Sequence, residues 1–273
     1  MRTEVTSDWD DAYANSAHIA GSETLPALWA ARSAGFRAQM GARYRDITWG
    51  AHPRQKLDLF LTDTPPRGLA VIVHGGYWVE TDVSLWSFLA TGLIAQGYAV
   101  ALPSYRLAPE AGLPAIAKDV ATGIAVAMDE INGPVRLLGH SAGGQLALRM
   151  ATLHSPLGDS PIARIENIIP ISGLFDLRPL RRTAMQDDLR ITDAQVMSES
   201  PALSLPHPAF KGDVHLWVGG DERPVFLQQT QLMHLAWRGY LPLDMTVEAG
   251  RNHFSVLDGL SDPQSPLIHA IVT

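Results

Sequence analysis

Cysteine is missing from all 273 residues. Its absence excludes disulfides, thiolate metal centres, iron–sulfur clusters and cysteine nucleophiles. A reducing compartment is compatible with it. Basic charge is in the minority: 21 Lys and Arg stand against 28 Asp and Glu, a formal net charge of −7. Generic nucleic-acid binding needs a basic surface, so nucleic acid is not an expected partner. Long apolar runs are missing too. The longest, such as 69–73 and 99–102, fall far short of the roughly 20 residues that a bilayer span needs. The opening MRTEVTSDWDD lacks a basic start followed by an apolar stretch. The expectation is therefore a soluble, cytoplasmic chain with no membrane partner. No repeat, low-complexity tract or Gly/Ser linker divides it, and 46% hydrophobic residues suffice for a large core. A single domain over 1–273 is the simplest organisation.

Short apolar runs alternate with longer amphipathic stretches. The spacing predicts helices over 25–40, 85–95, 115–131, a stretch opening just after Ser141, 225–238 and 266–272. Residues 43–49 and 56–61 alternate polar and apolar side chains, as half-buried antiparallel strands do. The runs at 69–73, 99–102, 135–138, 167–171, 214–218 and 243–247 read as further strands, and a continuous apolar run such as 69–73 suits a strand covered on both faces. Strand–helix alternation implies crossover connections, hence an α/β fold with a mostly parallel sheet and helices on both faces. Residues 174–208 break the rhythm and read as a small cap inserted over one sheet edge.

Two motifs carry chemistry. Gly139-His140-Ser141-Ala142-Gly143 joins an apolar strand to a helix. So tight a turn forces Ser141 into a strained conformation, with its hydroxyl projecting above the sheet and a helix N-terminus behind it. His74-Gly75-Gly76-Tyr77-Trp78 follows the run 69–73. Successive glycines let the backbone turn its N–H groups inward, and those of Gly76 and Tyr77, with Ala142, are candidate donors to an oxyanion. His74 reads as a brace for that loop.

His74–Trp78, Tyr105–Glu110 and Gly139–Gly144 together resemble the α/β-hydrolase superfamily, and within it the hormone-sensitive-lipase-like esterases and the serine arylformamidases of the kynurenine formamidase type. The esterases commonly carry a third glycine where this chain has Tyr77. The H-G-G-Y-W form, and Tyr13-Ala14-Asn15-Ser16-Ala17 near the start, are closer to the arylformamidase branch. The esterases also often hold an aspartate just before the tyrosine of the second motif, where Ser104 stands here. The resemblance runs from about residue 13 to His253.

A serine hydroxyl needs a base within hydrogen-bond reach, and in this fold the chain order is serine, acid, histidine. His253 follows the last strand, on a loop at the carboxyl ends of the strands, and is the expected base. The acid should follow the strand 214–218, where Asp221 and Glu222 are adjacent. Asp221 fits the generic hydrolase pattern; the arylformamidase pattern, registered on Pro224 and Phe226, places the acid at Glu222, which is the expected acid with Asp221 as the alternative. No H-E-x-x-H or His/carboxylate spacing supports a metal, and no cofactor is expected. The implied activity is cleavage of a small-molecule carboxylic ester or aryl-formamide through an acyl-enzyme. Trp78, Phe175 and Phe254 are expected to line an aromatic substrate mouth beside Tyr77.

Overall fold

The computed structural model describes residues 8–273. Eight strands form one sheet: β1 (Tyr44–Thr48), β2 (Lys56–Phe60), β3 (Leu69–Val73), β4 (Ala99–Pro103), β5 (Val135–His140), β6 (Ile165–Ile171), β7 (Asp213–Gly219) and β8 (Leu243–Glu248). Their order is β1-β2-β4-β3-β5-β6-β7-β8. The first hairpin is antiparallel, as its alternating residues predict, and β2 also runs antiparallel to β4. Every other pairing is parallel. The order reverses between β3 and β5, so the loops after these two strands part at the carboxyl edge and leave a crevice there.

Strand pleating divides the core into two layers. In β3, Leu69, Val71 and Val73 face one layer, and Ala70 and Ile72 face the other. The helices Leu113–Glu130, Ala142–Arg149 and Pro224–Trp237 cover the first face. Leu25–Met40, Thr91–Ala95 and Pro266–Val272 cover the second. The long helix illustrates the local logic. Proline stands at its second residue, and its buried Ile116, Val120, Ile124 and Ala127 recur at helical spacing. Its last turn closes before Gly133, which takes φ +99°, and Pro134.

One predicted helix is shorter than expected. Over 85–95, only Thr91–Ala95 is α-helical, preceded by two 3₁₀ turns, Val83–Leu85 and Ser87–Ala90. Arg37 from the facing helix bonds the Ser84 carbonyl and Ser87 Oγ, both at 2.7 Å. Ser87 Oγ in turn donates to the buried Asp58 at 3.2 Å. The first of these partners occupies the Ser84 carbonyl, which a continuous helix would pair internally.

The segment between β6 and β7 holds only short helices, Gln186–Leu189 and Asp193–Glu199 the longest of them described. Its buried Leu174, Leu177, Leu189 and Val196 join the first core layer. A buried ion pair, Arg149 Nε to Glu199 Oε2 at 3.0 Å, ties it to the helix that follows Ser141. Among the described residues, no helix is long and apolar enough to cross a membrane.

Candidate active site

β5 runs directly into Ser141 and the helix Ala142–Arg149. Ser141 has φ +55° and ψ −119°, a conformation that costs a non-glycine residue about 1–3 kcal/mol. The turn is held from both sides. The Ser141 N–H donates to the Ile171 carbonyl at 2.8 Å, and its own carbonyl accepts from Gly144 at 2.9 Å. The close approach to β3 requires Gly143: a Cβ there would lie 2.1 Å from the Val73 carbonyl oxygen.

The two adjacent carboxylates separate clearly. Glu222 Oε2 lies 2.6 Å from His253 Nδ1. Its other oxygen accepts from Ser172 Oγ at 2.5 Å and from the Gly219 N–H at 2.8 Å. Asp221 is exposed, and its N–H bonds the Arg251 carbonyl at 2.9 Å. That bond, with Gly220 N–H to the Glu248 carbonyl at 2.7 Å, stitches the acid loop to the loop carrying His253. Gly250 turns at φ +75°, and Asn252 Oδ1 accepts from the N–H groups of Phe254 and Ser255 at 3.0 and 2.9 Å. His253 is thereby fixed between a carboxylate and the Phe226 ring, 4.3 Å away centre to centre.

His140 adds a support that the sequence did not reveal. Its ring lies 4.6 Å from that of His253, and its Nε2 lies 2.8 Å from the His253 carbonyl oxygen. A carbonyl only accepts, so Nε2 carries the proton and the ring is held as one tautomer. Burial, then the neighbouring His253, push the His140 pKa well below its ordinary value.

Among the described residues, no hydrogen bond engages Ser141 Oγ or His253 Nε2. Both residues line one cavity of about 680 Å³ at the carboxyl edge of the sheet. Gly76 and Tyr77 line the same cavity with φ of +113° and +47°. A Cβ on Gly76 would meet the Glu80 carbonyl oxygen at 2.2 Å, so only glycine fits there. The N–H groups of Gly76, Tyr77 and Ala142 donate to no other described group.

The loop is braced as expected for His74. Its ring stacks on Tyr105 at 4.3 Å, and Tyr105 Oη donates to the His74 carbonyl at 2.8 Å. Beside Tyr105, Arg106 is held by Asp119 in a bidentate pair at 2.7 and 2.9 Å, while position 104 is a serine. Burial lowers the His74 pKa to about 4, with the Gly75 carbonyl opposing it. An unfolded histidine titrates near ~6.5. Between those values the unfolded chain binds a proton that the folded chain refuses, so stability falls as pH drops through this window. Denaturant titrations at pH 7 and pH 5 should show the loss, at most about 1.4 kcal/mol per pH unit from this residue. His74→Gln should flatten the slope; an unaltered slope would contradict the assignment.

Two of the three expected lining residues lie elsewhere. Trp78 is fully buried in the core, its Nε1 donating to Gln145 Oε1 at 3.1 Å. Phe175 is equally buried, packed over Gly173, where a Cβ would be 2.4 Å from its ring. Both belong to the first core layer. Phe254 does line the cavity, in edge contact with Trp29 at 5.5 Å. Trp29, Trp86 and Met185 supply apolar wall that the motifs gave no hint of. The N-terminal segment was also missed as a wall: Tyr13, Asn15 and Ser16 line the cavity. Its one sequence signal is the Tyr13–Ala17 motif. Among the described residues, no group of three His, Asp or Glu side chains is placed to hold a metal ion.

Comparison with known proteins agrees with this architecture. A family model described as the alpha/beta hydrolase fold matches residues 70–216, more than half of the chain. Kynurenine formamidase of Danio rerio is 26% identical over 227 residues, covering 80% of this chain and 76% of its own length. A thioesterase candidate from Silicibacter sp. TM1040, known from a crystal structure, is 41% identical and superposes with a TM-score of 0.93, covering 97% of this chain and 99% of its own. An esterase of Pyrobaculum calidifontis shares the fold at 20% identity and a TM-score of 0.66, over 91% of this chain and 90% of its own.

Proposed function

This chain belongs to the α/β-hydrolase fold family, and on that premise we propose that it is a serine hydrolase cleaving small carboxylic esters or aryl-formamides. The observation that carries the proposal is the 2.6 Å contact between His253 Nδ1 and a fully buried Glu222 carboxylate, beside a cavity that Ser141 also lines.

Each role follows from the chemistry of the group. Glu222 fixes the His253 tautomer with its proton on Nδ1, so Nε2 presents a lone pair to the cavity. His253 takes the Ser141 proton as Oγ attacks the substrate carbonyl. The N–H groups of Gly76, Tyr77 and Ala142 receive the developing oxyanion, each worth about 3 kcal/mol of transition-state stabilisation. The imidazolium then protonates the departing alcohol or amine, and Glu222 stabilises its charge without taking the proton. Water repeats the sequence on the acyl-enzyme. Tyr77, in place of a small residue, narrows the acyl side and favours formyl or short acyl groups.

Two assays test this reading. A fluorophosphonate probe should label the wild-type chain and leave Ser141→Ala unlabelled. Hydrolysis of N-formylkynurenine should be detectable beside that of p-nitrophenyl acetate, with the butyrate ester slower than the acetate. Good ester turnover without any formamide turnover would reduce the assignment to an esterase. Thioester cleavage is the second reading, favoured by the 41% identical thioesterase candidate; an acyl-thioester turned over faster than both other substrates would establish it.

A further inference from the structure

Tyr77 is held in a conformation that its own backbone disfavours. Gly76, Tyr77 and Trp78 take φ of +113°, +47° and +60° in succession, and only the first is a glycine. Positive φ is costly for a residue with a Cβ, so such a turn persists only where its surroundings fix it. The flanking residues are secured by backbone bonds. The Gly76 carbonyl accepts from the N–H groups of Val79 and Glu80, both at 3.0 Å, and the Trp78 carbonyl accepts from the Ala108 N–H at 2.8 Å. Among the described residues, Tyr77 itself makes hydrogen bonds through its side-chain hydroxyl alone.

Both of those bonds cross to the N-terminal wall. Tyr77 Oη lies 2.5 Å from the Tyr13 carbonyl oxygen, which can only accept, so the hydroxyl donates there. That carbonyl ends the short helix Trp9–Tyr13, where the last turn offers it no partner. The hydroxyl's one proton is thereby committed, and Asn15 meets it at 2.9 Å with its NH₂ group. The amide oxygen of Asn15 has no partner among the described residues. Burial, then the neighbouring Tyr13, Glu222 and Glu80, push the Tyr77 phenol well above its ordinary range, so it keeps the proton that it donates.

The wall is itself tied to three other places in the fold. Tyr13 Oη accepts from Gln229 at 3.0 Å, the Asp11 carbonyl accepts from Arg223 at 3.1 Å, and Asp10 Oδ1 accepts from the Ala184 N–H at 2.6 Å. The Tyr13 ring meets Phe226 edge-on at 6.0 Å, and Phe226 is the ring packed on His253 at 4.3 Å. One segment therefore touches both the support of the base and the loop of the oxyanion donors.

We propose that the Tyr77 hydroxyl is a positioning group for the reaction: its bonds to residues 13 and 15 hold the Gly76 and Tyr77 N–H groups where the oxyanion forms, which makes the N-terminal segment part of the catalytic frame. This rests on the hydrolase reading above and adds a residue role to it. Oxyanion donors work because they are fixed before the charge develops. A loop released from its tether relaxes away from the strained turn and loses that preorganisation. Binding of the uncharged substrate needs it far less, so the loss falls on kcat and leaves KM nearly unchanged.

The test removes the bonds one end at a time. Tyr77→Phe deletes one oxygen and keeps the ring and the backbone. Rates are measured with p-nitrophenyl acetate and expressed per serine that a fluorophosphonate probe labels at completion. On that basis kcat should fall about tenfold or more, with KM within about threefold of the parent. A trifluoromethyl ketone, which the serine converts into an oxyanion adduct, should bind more weakly by the same factor as kcat/KM falls. Asn15→Leu takes away the second bond alone and should lower kcat about threefold. Added to Tyr77→Phe it should cost less than about twofold more, because both changes act through one hydroxyl. If circular dichroism shows Tyr77→Phe to be unfolded, Asn15→Leu decides alone. An unchanged kcat per labelled serine, a raised KM at constant kcat, or losses that multiply in the double variant each overturn the positioning role and leave the hydrolase reading intact. A wild-type chain that takes no label overturns the hydrolase reading and this inference with it.

Discussion

A Ser141→Ala variant should fold like the parent and lose kcat by about four orders of magnitude or more on any substrate the parent cleaves. The reason lies in what the hydroxyl does and does not touch. Oγ makes no hydrogen bond to any described residue, so its removal strands no buried partner. The backbone strain at φ +55° is a property of the turn and is felt alike by serine and alanine. Thermal unfolding should therefore move by no more than about 0.5 kcal/mol in stability, as for substitutions that touch no packing or capping feature. Ser141→Gly should go further: equally inactive, yet stabilised by about 1 kcal/mol, because glycine adopts positive φ without the steric penalty. Stability gained together with activity lost would mark the turn as strained for the sake of chemistry. An active Ser141→Ala protein would remove the basis for the proposed mechanism.

Glu222→Gln should cost about ten-thousand-fold in kcat, while Asp221→Asn should stay within about threefold of the parent. The asymmetry comes from three hydrogen bonds. Ser172 Oγ and the Gly219 N–H both donate to Oε1 of Glu222. In the glutamine variant that position must keep an oxygen, so the NH₂ group is turned towards His253 Nδ1. Nδ1 then has to accept, the ring proton moves to Nε2, and the lone pair needed to draw the Ser141 proton is gone. The side chain remains in place, and the defect is one of tautomer. Asp221 faces solvent, and its one described bond there is made by the backbone N–H, which asparagine retains. Steady-state kinetics on both variants with p-nitrophenyl acetate decides the matter. Equal losses, or a larger loss at Asp221, would show that the hydrogen-bonded pair is not the one that orients the base.

The difference between these neighbours shows where one-dimensional reasoning stops. Two adjacent acids after a strand look alike in sequence, and only the register on Pro224 and Phe226 favours Glu222, with Asp221 as the alternative. What separates them is the direction of each side chain where the loop folds back over β7. That direction is set by N–H groups of residues 219 to 221 bonding to the following loop and to Glu222 itself. Similarly, Trp78 and Phe175 carry the composition of a substrate wall, yet their backbones turn them into the core. An aromatic ring gains about as much by burial against protein as against ligand, so residue type alone cannot distinguish the two fates.

The strands, most of the helices that cover them and the strand-to-helix serine turn were legible in the sequence by itself. These features depend on local periodicity, on β-branched and apolar runs and on glycines at close approaches, and all of these are written within a few residues of where they act. The contact between the expected Glu222 carboxylate and the imidazole, the histidine beneath it and the N-terminal wall with its unpaired amide were decided only by the tertiary structure. Each of those joins groups distant in the chain, such as Tyr13 with Tyr77 and Glu222 with His253. Hydrogen bonds depend on separations of a few tenths of an ångström, and no spacing along a chain of 273 residues encodes a distance that fine.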